Sequence, residues 1–170
     1  MGEPSAPTDP VEEAGEESFP ASDPPEWTGA HAGAPAASPR ATRSDDLETV
    51  RSAFAVPEAA ARIERALAAA GMKMFARIDQ AAEARSVGLS MPAAVVLLFG
   101  NPTAGTPLML ARPTAAIDLP LKALLWEDDR GGSWLTYNTP ELLVRRHGVD
   151  AALARRLAPA AEILRRAVSP

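Results

Sequence analysis

Apolar residues in this chain fall into short blocks whose spacing switches between the two-residue period of a strand and the 3.6-residue period of a helix. The first 46 residues show neither period, with little that is apolar beyond Val11, Phe19 and Trp27. From Leu47 to Phe54 the pattern changes: Val50, Ser52 and Phe54 alternate with Thr49, Arg51 and Ala53, which predicts a short strand. A helix over 57–70 follows, with Pro57 at its first position, Ile63, Leu67 and Ala70 on one face and Gly71 as its stop. Met72, Met74, Ala76 and Ile78 then alternate with Lys73, Phe75, Arg77 and Asp79, the period of a strand with one buried face.

Asp79 is placed to cap a short helix ending near Gly88, and Pro92 leads into the apolar run Ala93–Phe99. A run without polar alternation is expected of a central strand covered on both faces or nearly so. After Gly100, both Asn101-Pro102 and Thr106-Pro107 combine a capping side chain with the residue favoured at the first helical position, so a helix begins at one of them and ends before Arg112-Pro113. Leu121–Trp126 is a second apolar strand, Asp128–Gly132 a hairpin turn, and Ser133–Tyr137 the returning strand. Thr139-Pro140 opens a helix that Gly148 closes. Beyond Asp150, Leu153, Leu157, Ala161, Leu164 and Val168 form a helical stripe that Pro159 should kink or break.

Composition sharpens the division. Residues 1–46 hold eight of the 17 prolines and carry ten acidic against two basic side chains, whereas the remainder is slightly basic within a whole-chain charge of −5. Such a tail cannot bury enough surface to offset the entropy of ordering, so disorder is the expectation for it. Within it, Phe19 and Trp27 lie in an acidic, proline-rich stretch from Glu16 to Thr28, which reads either as a short linear motif offering two aromatic anchors to a partner or as a solubilising tail. The chain therefore divides into an acidic tail (1–46), an α/β domain (47–148) and a helical extension (149–170).

Several kinds of chemistry drop out. The absence of cysteine excludes disulfides and thiolate metal sites. His147 is the one histidine after the tail, so a transition-metal site is not expected, and no cofactor motif is present. Its place in the last turn of a helix suggests an interaction with the helix C-terminus. The pairs Arg145-Arg146, Arg155-Arg156 and Arg165-Arg166 do not keep to one helix face and lack interleaved aromatics, so they read as solvated surface and not as a nucleic-acid interface. No apolar run reaches the ~20 residues of a membrane span, and an acidic N-terminus is unlike a secretory signal, so a cytoplasmic location without membrane association is expected.

Two sets of residues are candidates for function. Gly100, Asn101, Gly105 and Thr106 form a glycine-containing junction between a strand and a helix, where free backbone N–H groups could meet a small ligand or an anion. The junction lacks the dinucleotide fingerprint and the Gly-Lys-Ser/Thr of a phosphate loop, so a capped strand-to-helix turn is the plainer reading. Asp79, Asp118 and Tyr137 lie at strand ends or loops and could perform acid/base work in a hydrolase-like site if they converge; capping and turn formation explain both aspartates otherwise.

Four ordered blocks carry a resemblance: Gly71–Asp79 (GMKMFARID), Leu98–Met109 (LFGNPTAGTPLM), Asp118–Lys122 (DLPLK), and Trp134–Asn138 (WLTYN) with Arg146-His147-Gly148. Together they are similar to the bacterial domain-of-unknown-function-302 family over roughly residues 48–148. The resemblance implies an α+β fold, a two-layer α/β sandwich with a central sheet of about five strands and helices mainly on one face. It also implies a homodimer and supplies no catalytic residues. The position after Asp79, often His in similar sequences, is Gln80 here.

Overall fold

A computed structural model describes residues 46–170 and the backbone of Thr42–Arg43. The tail motif around Phe19 and Trp27 lies outside the described residues. One antiparallel sheet organises the rest. It comprises β1 (Thr42–Arg43), β2 (Leu47–Arg51), β3 (Lys73–Asp79), β4 (Ala94–Gly100), β5 (Leu121–Glu127) and β6 (Ser133–Asn138). Their spatial order is β1-β2-β6-β5-β4-β3, so five full strands are extended by one two-residue strand at the edge.

The helices lie mainly on one face. α1 (Val56–Ala69) buries Val56, Ala59, Ala60, Ile63 and Leu67, the face set by its helical spacing. These meet Val95, Leu97 and Phe99 of β4, Ala123 and Leu125 of β5, and Leu135 and Tyr137 of β6, alternate residues of each strand, as strand geometry requires. The C-terminal stripe joins the same core. Its helix breaks at Pro159 as the sequence predicts: α5 (Ala151–Ala154) passes through a 3₁₀ turn (Arg155–Leu157) into α6 (Ala158–Val168), with Pro159 in the first turn of α6. Ala160, Leu164, Ala167 and Val168 then pack beside α1 in its own chain.

A second apolar cluster joins α3 (Pro102–Ala111), the 3₁₀ turn Pro113–Ile117 and α4 (Pro140–His147) through Leu108, Ala115 and Leu143. The remaining helix, α2 (Gln80–Ser86), starts from Asp79, whose Oδ1 accepts the Ala82 N–H at 2.9 Å. Gly148 ends α4 at φ +63°, a left-handed conformation that glycine adopts without steric cost.

Two expectations need correction. β3 does not keep one buried face: a bulge between Met74 and Ala76 shifts the register, so Met74 packs on the core while Ala76 and Ile78 pair with Leu98 and Val96 and share their face, away from α1. The run Ala93–Phe99 is interior but not central, because β4 lies next to the β3 edge and only one of its faces is covered by helices. Val96 and Leu98 on the other face remain half-buried.

Candidate functional site

Gly100 closes β4, and Asn101 turns the chain into α3. The Asn101 Oδ1 accepts the Thr103 N–H at 2.9 Å, and its carbonyl oxygen accepts the N–H groups of Ala104 at 3.0 Å and Gly105 at 2.9 Å. Pro102 has no N–H to offer. The first-turn donors that the sequence reading left free for an anion are therefore engaged by Asn101, and no open anion cradle exists at this junction. Thr106-Pro107, the rival start, falls inside α3.

The junction instead forms one side of a cavity of about 210 Å³. Gly100, Asn101, Gly105 and Thr106 all line it, together with Met109 one turn further along α3. Across from them stand Phe75 and the segment Leu119-Pro120-Leu121, and Leu157 reaches in from the C-terminal helices. The bulge of β3 has a direct role here, because it presents the half-exposed Phe75 beside Gly100. A Cβ on Gly100 would lie 3.8 Å from both Phe75 and Pro120, and one on Gly105 3.8 Å from Leu119, ordinary contact distances, so a methyl at either place would fit and take up part of the cavity. The wall is almost wholly apolar, with the Asn101 and Thr106 side chains as its polar points. Such a space suits a fragment-sized apolar molecule, being below the roughly 300–1,000 Å³ of drug-sized sites. The hollow lined by Asp46, Asn138, Arg145 and Arg146 is larger, about 430 Å³, but there Arg145 pairs with Asp46 and Arg146 with Asp118.

Asp79, Asp118 and Tyr137 are not brought into one acid/base centre. Asp79 caps α2 at the β3 edge, and β4 and β5 lie between it and Tyr137 on β6. Tyr137 is buried with its hydroxyl accepting from Arg165 at 3.1 Å, and Arg165 also donates to Glu48 at 3.0 Å. Burial first, then Glu48, pushes the phenol well above its ordinary pKa. Arg165 in turn bonds Glu162, so this arginine ties α6 to β2 and β6 and is not a merely solvated charge.

Asp118 makes the tightest polar cluster. Its carboxylate accepts from Arg146 at 3.0 and 3.2 Å and lies 2.6 Å from His147 Nε2, while His147 Nδ1 is 3.1 Å from the Thr114 hydroxyl. Burial acts to raise the Asp118 pKa, but the hydrogen bonds and charges of His147 and Arg146 outweigh it, and the net shift is downward. His147 thus bonds side chains from another segment, where the sequence suggested the end of its own helix. Hydroxyl, imidazole and carboxylate stand in the order of a hydrolytic triad. Here they join α4 to the segment before β5, and none of the three lines the cavity, although Leu119, next to Asp118 in the chain, does.

Phe75, Met109, Leu119 and Leu157 had no signal as site residues, since each reads as an ordinary apolar position. Asp118 was a candidate in the sequence, but its partners were not: Asp118 and Arg146-His147 fall in two separate blocks among the four that carry the family resemblance.

Among solved structures, the uncharacterised conserved protein DUF302 from Bacillus stearothermophilus is similar with a TM-score of 0.61 at 20% identity, covering 72% of this chain and 94% of that one. In sequence, the fluoride-specific ion channels FluC 1 of Brucella suis biovar 1 (strain 1330) and of Brucella abortus biovar 1 (strain 9-941) are each 42% identical over 103 residues, 61% of this chain. The chain spans only 41% and 38% of their lengths. The model of the domain of unknown function DUF302 matches residues 48–169, through the C-terminal helices that complete the core, and the chain belongs to that family.

Proposed function

We propose that this chain is a ligand-binding domain whose cavity between Phe75, the Gly100–Thr106 junction and Leu119–Leu121 takes a small, largely apolar molecule. The observation that carries this reading is the cavity itself, a concave apolar space of about 210 Å³ that two glycines leave open. Asn101 and Thr106 would orient a single polar group of the ligand, and the apolar wall would supply the affinity. The test is a thermal-shift panel of fragment-sized aromatic and aliphatic molecules against the wild type and the doubly substituted Gly100→Ala/Gly105→Ala chain. At least one compound should raise the wild-type Tm progressively, with the logarithm of ligand concentration above its Kd, and lose that effect in the double variant. No response across the panel, or an equal response from both proteins, would count against it.

The relatives favour a setting for that activity. Both carry the name of a fluoride channel and are more than twice as long as the stretch they share with this chain, while no helix among the described residues is long and apolar enough to cross a membrane. The same reading therefore makes the domain an accessory, sensing part that acts in the cytoplasm beside a membrane transport protein and conducts nothing itself. Phe19 and Trp27 are the candidate contacts for such a partner. Replacing both with Ala should weaken recovery of the partner in a pulldown, and unchanged recovery would remove the tail from the proposal.

A further inference from the structure

Thr114, His147 and Asp118 form a chain of contacts that runs inward from solvent. Thr114 is an exposed residue of the 3₁₀ turn Pro113–Ile117, whereas the side chains of His147 and Asp118 are only 6% and 9% exposed. His147 Nδ1 lies 3.1 Å from the Thr114 hydroxyl, and Nε2 lies 2.6 Å from Asp118 Oδ2. Arg146 Nη1 donates to both oxygens of the same carboxylate, which favours its ionised form, an acceptor only. Nε2 therefore carries the proton of the 2.6 Å bond. In the neutral ring Nδ1 is then a lone pair, and the Thr114 O–H donates to it. A carboxylate that fixes the tautomer of an imidazole, with the other ring nitrogen facing a hydroxyl, is the arrangement that activates an oxygen nucleophile.

Tethering does not account for the hydroxyl. Asp118 already joins α4 to this segment through Arg146 and His147, and Thr114 belongs to the same segment as Asp118. A buried ion pair also holds two elements together no better than apolar packing of similar volume. The surroundings of Thr114 suit a small ester. Side chains three apart eclipse in a 3₁₀ turn, so Ile117, 75% exposed, stands beside Thr114 as an apolar rest for a short acyl chain. Arg112 Nε donates to the carbonyl oxygen of Gly148, the residue after His147, at 3.2 Å, and its Nη1 to that of Ala111. Its Nη2 has no acceptor among the described residues and is open to a carbonyl oxygen that gains charge.

We propose that Thr114 is the nucleophile of a hydrolytic site for small acyl esters, with His147 as its general base and Asp118 as the residue that positions that base. The Thr114 O–H proton passes to Nδ1 while Oγ1 bonds the acyl carbon and the carbonyl electron pair moves onto oxygen. Collapse of that intermediate breaks the ester C–O bond, and the leaving alkoxide takes the proton from Nδ1. Water then repeats the sequence on the acyl-threonine, releasing the carboxylic acid and restoring the hydroxyl. Ester and water are consumed, and acid and alcohol are formed.

The test uses the full chain and p-nitrophenyl acetate. The wild type should release p-nitrophenolate faster than buffer alone and, after acid quenching, carry an acetyl group that peptide fragmentation places on Thr114. Thr114→Val, nearly isosteric at an exposed position, should keep the wild-type circular dichroism and Tm but lower the acylation rate about a hundredfold or more, whereas Thr114→Ser should keep it. Asp118→Asn, whose amide donates to Nε2 and so leaves the proton on Nδ1, should lower kcat with KM unchanged when assayed below its Tm. Release from folded Thr114→Val at the wild-type rate, or acetyl groups on lysines alone, would overturn the proposal. So would a wild type no faster than buffer.

Discussion

At Asp118 burial and partnership oppose each other, and the outcome shows in the pH dependence of stability. Its carboxyl is 8% exposed yet titrates below its ordinary value, because His147 and Arg146 bond the ionised form. A group whose pKa falls on folding adds stability above its unfolded value of about 4 and loses it as pH drops through the folded value. The Tm of the wild type should therefore fall between about pH 4 and the lower folded value. Asp118→Asn should lower the Tm at neutral pH and flatten that acid limb, and thermal melts across a pH series measure both. Tyr137 has the opposite sign. Its raised pKa contributes stability below the unfolded value of about 10 and withdraws it above. Since Tyr137 is the only tyrosine, tyrosinate absorbance reports it alone. That absorbance should stay absent near pH 10 in the folded chain and appear together with unfolding; a reversible titration near pH 10 with native circular dichroism would contradict the Glu48–Arg165–Tyr137 packing.

Among the elements, α3 is the one whose sequence gives least for stability and most for the cavity. Gly105 sits inside it, and a methyl there would meet only Leu119 at an ordinary contact distance of 3.8 Å. Gly105→Ala should stabilise the fold by about 0.5–1 kcal/mol through helix propensity, raising the Tm while narrowing the cavity. A glycine that costs stability and lines a pocket is the pattern expected where function opposes stability. The hairpin glycine behaves differently: a Cβ on Gly132 would lie 2.8 Å from Asp128 Oδ2, the atom that holds the Trp134 indole, so Gly132→Ala should displace that carboxylate and destabilise the β5–β6 turn.

Most elements were legible because caps and periods agreed, as at Asp79, Asn101 and the Asp128–Gly132 turn. The bulge in β3 was not, because its Met-Lys-Met-Phe-Ala-Arg-Ile run alternates equally well with or without an inserted residue. Four of the cavity residues, Gly100, Asn101, Gly105 and Thr106, were legible as a junction. The capped strand-to-helix turn, the plainer of the two readings of that junction, is what Asn101 builds, whereas the apolar residues facing it across the cavity carried no signal in the sequence.

Across the whole molecule, one sheet divides two tasks. The face under α1 and α6 holds the core, and the cavity opens at its α3 end, where Leu121 packs on both apolar clusters and Leu157 belongs to the second. The other face, with Thr49, Thr136, Leu124, Val96 and Ile78, takes no part in the cavity. The claim that matters most is that the Gly100–Thr106 cavity takes a small apolar molecule. Glycine amide resonances test it most directly: the ¹⁵N-labelled chain is titrated with indole and, separately, with 1-hexanol. Saturable shifts should concentrate at Gly100, Gly105 and Thr106 for at least one of the two, with Gly131 and Gly148 unmoved and the response abolished in Gly100→Ala/Gly105→Ala. Shifts spread evenly over the chain, or none at Gly100 and Gly105 at saturating concentrations of both, would contradict it.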